Sequence, residues 1–188
     1  MSGDGSPPAS ETTRGNASTA VPERLSPEAA VALFARLPPV PPETLRGFWR
    51  GRPVDTGHPY DAMLRASCWI GKEFLDPDRV HPLVHEGAFG RYRLDPGRLP
   101  LRLARALGVA RWYGARAAFR LLMPLFATSG SRARLRAVLD GGEPTAAMIY
   151  DQRPIIDVFR RVDDTTVMGR MDEKRAPRPA FFLLTREA

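Results

Sequence analysis

The sequence predicts a mostly β protein, an antiparallel barrel of about nine short strands with a short N-terminal helix and an inserted helical segment. Three observations carry this. From Arg132 onwards, runs rich in apolar and β-branched residues recur about every ten residues, separated by turn-forming stretches such as Asp140-Gly141-Gly142, Gln152-Arg153-Pro154 and Asp163-Asp164. Four similar runs precede residue 95. A meander of that many short strands normally closes on itself, because closure removes the exposed edges on which other chains could pair.

Taken in order, residues 1–25 are mostly Ser, Gly, Thr, Ala and Pro without an apolar period, the composition of a disordered tail. Ser26-Pro27-Glu28 then offers an N-cap, a proline at the first helical position and an early acid, followed by Val31, Phe34 and Leu37 on one predicted helical face. Pro38-Pro39 ends that helix. Residues 26–95 form the first half of the barrel, with strands expected at 46–54, 67–75, 80–86 and 89–94 and a short helix at 59–65. Residues 96–130 read as a helical insertion or cap, and 131–188 as the second half, a five-strand meander (132–139, 145–151, 155–162, 165–171, 179–186). The two halves are expected to build one structural domain.

Composition narrows the function classes. No apolar run reaches the ~18 residues of a membrane span, and no signal-peptide pattern is present, which leads us to expect a cytoplasmic protein. The lone Cys68 rules out an internal disulfide framework. Of the 28 basic residues all but Lys72 and Lys174 are Arg, and the net charge of +7 is unevenly placed. Between Arg91 and Arg136 eleven Arg face the single acid Asp95, so that segment carries +10 and the remainder −3. Its Arg residues alternate with leucines and aromatics, which reads first as a helix pair packed on the barrel with Arg facing solvent; in the alternative, a lid or membrane-surface helix, Arg102, Arg105, Trp112, Arg116 and Arg120 are the contacts with an anionic membrane surface. Nucleic acid is not expected, since only Trp112 and Tyr113 could stack bases there and no RNA module is recognisable. Self-association as a homodimer is left open.

The sharpest motif is Gly47-Phe48-Trp49-Arg50-Gly51 on the first strand. Glycines flanking a large aromatic allow a strand to bend where a small barrel is plugged, and a cation from the last strand, Arg186, is placed to stack on Trp49. A Gly-x-Trp on the first strand with an Arg on the last resembles the calycin-like arrangement of lipocalins and fatty-acid-binding proteins. With Trp69-Ile70-Gly71-Lys72-Glu73-Phe74, Ala147-Met148-Ile149-Tyr150-Asp151, Pro154 to Arg160, Gly169 to Lys174 and Phe181 to Leu184, the layout resembles a bacterial family that joins a GXWXG domain to a second domain of unknown function, number 4334. That resemblance implies a lipid-like or other hydrophobic ligand inside a barrel.

Carriage of a phospholipid, fatty acid or other amphipathic molecule without catalysis is accordingly the expected function, with no cofactor and no metal. The candidate pocket and base residues are Trp49, Trp69, Phe74, Met148, Tyr150, Phe159, Met168 and Phe182, and the candidate anion partners are Lys72, Arg160 and Arg186. Lys72 shares strand parity with Ile70 and Phe74; an ammonium facing the interior needs a partner, either Asp157, Asp172 or a ligand head group. Two alternatives compete. Nitrobindin-like haem barrels share a Gly-x-Trp-x-Gly, but they ligate iron through a histidine near the C-terminus, and here the last histidine is His85. The other is a structural or interaction module whose barrel is filled by its own side chains. Metal binding by His81 and His85 is not expected, because residues four apart on a strand are about 13 Å from each other.

Overall fold

In the computed structural model, which describes residues 21–99 and 114–187, one antiparallel sheet closes on itself. Its strands are β1 (Gly47–Pro53), β2 (Trp69–Asp76), β3 (Arg79–Gly87), β4 (Gly90–Arg93), β5 (Ala133–Asp140), β6 (Glu143–Tyr150), β7 (Ile155–Arg161), β8 (Thr166–Glu173) and β9 (Ala180–Arg186). Eight of them form the ring β1-β2-β3-β5-β6-β7-β8-β9, and β4 hangs as an extra strand on β3. Both halves of the sequence thus supply wall to a single barrel. The β3–β5 seam is the weakest, with one bridge pair, Val80 and Ala133, supported by Arg132 N–H to Val80 O and Leu135 N–H to Pro77 O.

Two seals close one end. A 3-10 turn (Pro42–Leu45) plugs it, and the Trp49 indole donates to Leu45 O at 2.9 Å. The strap just before the turn wedges between β6 and β7, whose direct ladder covers only Ala147–Ile149: Ala146 N–H bonds Val40 O and Arg161 N–H bonds Pro38 O. Helix α2 (Pro59–Ala66) covers the other end with Tyr60 and Met63. Its start is fixed by a box in which His58 Nδ1 accepts from Tyr60 N–H and the Asp61 carboxylate accepts from His58 N–H and Thr56 N–H. Helix α1 (Pro27–Arg36), capped by Ser26 Oγ, packs outside the barrel over Ala147, Val158, Met168, Phe181 and Leu183. Its buried face is Ala30, Phe34 and Leu37, while Val31 is exposed; the strands beneath lie one residue round from the predicted stripe. Helix α3 (Ala115–Leu122) and the 3-10 turn Met123–Phe126 represent the inserted segment; residues 100–113 of the expected insertion lie outside the described residues.

Space, as well as bending, explains the motif glycines. Gly47 takes φ +105° where the chain enters β1 from the plug. A Cβ on Gly51 would stand 2.2 Å from the Trp69 ring, so that glycine makes room for an indole inside the barrel. Gly71 combines both demands, with φ +148° and a Cβ position 1.9 Å from Trp49 O. Gly71→Ala is expected to cost several times the ~1 kcal/mol of Gly47→Ala, whose Cβ would meet nothing within 4 Å. Paired urea unfolding curves check this, and equal losses at the two positions contradict it.

Candidate functional site

Along each strand alternate residues face the lumen, and most are apolar: Trp49, Trp69, Phe74, Val80, Leu135, Met148, Tyr150, Phe159, Phe182 and Leu184 belong to one core. Lys72 and Asp157 interrupt it. Strands β2 and β7 lie four places apart in the ring of eight, so they face each other across the lumen, and Lys72 Nζ meets Asp157 Oδ2 at 2.8 Å in the middle. Both side chains are buried, at 3 % and 0 % exposure. The ammonium also bonds Pro82 O at 3.2 Å and Tyr150 Oη at 3.4 Å. It lies 4.8 Å from the Phe182 ring centroid and 5.6 Å from those of Trp69 and Tyr150, an aromatic cage for a cation. Burial drives the Asp157 carboxyl above its ordinary range, against the opposing pull of Lys72 and of hydrogen bonds from Lys72 and Tyr150. The same burial, with the Asp157 charge nearby, pushes the Tyr150 phenol well up. Asp157 Oδ1 and Trp69 Nε1 are buried without a hydrogen-bond partner among the described residues.

The two halves of the lumen differ. Towards the plug, Trp49 and Phe74 are 1 % exposed and Met148 and Phe159 are 0 % exposed, a closed mass of side chains. Towards α2, Trp69 and Tyr150 retain 7 %, Tyr60 and Met63 8 % and Met171 9 %. Lys72 and Asp157 lie at the boundary and form the floor of the α2 half. Beside this end stands α3, where Arg116 O lies 3.8 Å from Cys68 Sγ. Below α3 a small core of Leu94, Leu99 and Met123 meets the barrel core through Leu83. Arg116, Arg120, Leu121, Leu122 and Leu125 are exposed there.

The expected site residues divide accordingly. Trp69, Lys72, Tyr150 and Phe182 converge on one cage, whereas Trp49, Phe74, Met148 and Phe159 pack the closed half. Arg186 stays at the closed end, exposed, with its guanidinium 4.9 Å from the Trp49 ring and bonded to Thr44 O, and it does not reach the cage. Two assignments are corrected. Met168 points outward beneath α1, because its neighbour Val167 takes the inward parity. Arg160 likewise faces out, held under the 37–39 strap by Asp140 O at 2.6 Å, Asp140 Oδ2 and Glu143 Oε2 at 3.1 Å and Leu37 O at 3.4 Å. Arg102, Arg105 and Trp112 lie outside the described residues. Simple alternation pairs Lys72 with Ile70, but register shifts in the β2–β3 ladder on either side of Gly71 bring Trp69 into the lumen instead. Missing from the sequence-based set are Tyr60, Met63, Ile155 and Met171; the i, i+3 spacing of Tyr60 and Met63 on α2 was the available signal for the first two.

The family models agree with this division into halves. One described as "GXWXG protein" matches residues 32–90, and one described as "Domain of unknown function (DUF4334)" matches residues 131–186. The chain belongs to the GXWXG–DUF4334 family. In this chain the two matched halves build one barrel. A crystal structure of a protein from Thermomonospora curvata is similar over 88 % of this chain and 91 % of that one, with 34 % identity and a TM-score of 0.67. No curated protein matches the chain.

His85 sits at the rim of the cage, its Nε2 3.1 Å from Ser67 Oγ. Burial lowers its pKa from 6.5 to about 3, helped by the positive charge of Lys72 and opposed by a hydrogen bond to the Leu83 backbone. An unfolded His85 binds a proton below about pH 6.5 that the folded protein refuses, so stability drains away as pH falls from there towards 3. Between pH 7 and 5 this group removes about 2 kcal/mol. His85→Gln is expected to shrink the loss of urea stability between those pH values by about that amount, and an unchanged loss contradicts the assignment.

Proposed function

We propose that the barrel binds a small amphipathic molecule of fatty-acid type, its polar head at Lys72, Asp157 and Tyr150 and its apolar tail in the α2 half of the lumen. The observation that carries this reading is the cross-lumen ion pair itself. Burying a lysine and an aspartate costs several kcal/mol per charge, and apolar side chains of similar volume commonly serve stability as well or better. Asp157 Oδ1 and Trp69 Nε1, an acceptor and a donor buried without a hydrogen-bond partner among the described residues, add polar capacity for a ligand.

Size narrows the ligand. Eight-residue strands span ~26 Å and, at a barrel tilt of ~40°, give ~20 Å of height, of which the α2 half is ~10 Å. That suits a tail of fewer than about ten carbons rather than a phospholipid. We assign α3 the role of a contact with anionic membrane surface where the ligand is exchanged, because Leu121, Leu122 and Leu125 stand exposed among arginines beside the same end. One observation favours a second reading, a barrel filled by its own side chains: the plug half is closed completely.

Native mass spectrometry of the full-length chain separates the two readings. Carriage predicts one small molecule retained from the expression host, or one octanoate bound on addition, with at least tenfold weaker binding in Lys72→Met. Bare polypeptide that takes up neither octanoate nor octan-1-ol favours the filled barrel.

A further inference from the structure

Lys72 is the only lysine of the barrel core and one of two in the chain, and its surroundings match what an amine needs in order to capture a carbonyl carbon. Resting on the carriage reading, we infer that the cage takes apolar aldehydes and holds them covalently, as an imine on Lys72 with Asp157 as the counter-ion. Lysine amines serve this chemistry when buried beside groups that can take and return a proton.

The geometry supplies each part. Asp157 Oδ2, 2.8 Å from Nζ, removes the ammonium proton, a transfer made easier by the burial that raises this carboxyl. The freed amine forms a C–N bond to the carbonyl carbon while Tyr150 Oη, 3.4 Å from Nζ, passes its proton to the carbonyl oxygen and takes the second amine proton in the same step, so that no buried phenolate forms. The Asp157 proton then leaves with the hydroxyl as water when the C–O bond breaks and the nitrogen lone pair closes C=N. In sum R–CHO and Lys–NH3+ give R–CH=NH+–Lys and H2O, with no oxidant or reductant. The cation survives the reaction, so the ion pair and the contacts with Trp69, Tyr150 and Phe182 stabilise product as they stabilise reactant.

Octanal with sodium cyanoborohydride, applied to the full-length protein, traps the imine as a stable amine readable by intact mass and peptide mapping. The expected result is one octyl adduct per chain on Lys72, with Lys174 and the amino terminus labelled at least tenfold more slowly. Lys72→Arg, which keeps a cation opposite Asp157, should fold with a similar thermal midpoint and lose that adduct. Asp157→Asn should slow it at least tenfold. Octan-1-ol, which cannot react, reports carriage separately. Alcohol binding without preferential Lys72 labelling overturns the imine and leaves carriage standing; failure of both octan-1-ol and octanal to bind overturns both.

Discussion

A charge pair spanning the middle of a barrel constrains everything around it. Lys72 and Asp157 come from strands on opposite walls, so their contact fixes the separation of those walls and the inward parity of β2 and β7. The aromatic side chains about the ammonium, the tyrosine hydroxyl beside the carboxyl and the Pro82 carbonyl are what let the pair exist away from water. Shifting either strand by one residue would turn one charge out of the lumen and leave the other unpaired among apolar side chains.

Around that pair the molecule divides its labour along the barrel axis. The plug end is built for permanence: the 3-10 turn, the Trp49 indole bonded to Leu45, the Arg186 guanidinium stacked over it, and the 38–40 strap wedged between β6 and β7. The α2 end is covered by a short helix whose buried side chains keep some accessibility, next to a second helix that carries exposed leucines and arginines. Helix α2 touches the strands less extensively than the strands touch one another, so the conformational cost of admitting the proposed ligand would fall on that element.

The strand pattern was legible in the sequence because period-two alternation and turn residues are local signals: each expected strand falls within two residues of the observed one. Closure was legible from strand number. Arg186 over Trp49 also follows from position in the chain, whereas for Lys72 only its parity with Phe74 and three possible partners were legible, of which the structure selects Asp157. What could not be read is information that the sheet creates. The register shifts around Gly71 decide that Trp69, and not Ile70, enters the lumen. Arg160, expected as an anion partner, lies outside the barrel on the face opposite its neighbour Phe159, held by the strap that crosses β7. Met168 belongs to α1 because α1 covers that patch, a tertiary fact without a local trace. The role of Gly51 is likewise a three-dimensional one, set by an indole eighteen residues away in the chain.

On the function proposed, the cross-lumen pair sets the register of its two walls but adds no net stability, and it is retained for a ligand. The most direct measurement is the stability and octanoate affinity of a variant lacking both charges, Lys72→Met with Asp157→Leu, made in the full-length protein. The expected result is a thermal midpoint equal to or above that of the parent together with loss of octanoate binding. A large fall in midpoint, with octanoate still bound at parental affinity, would contradict it.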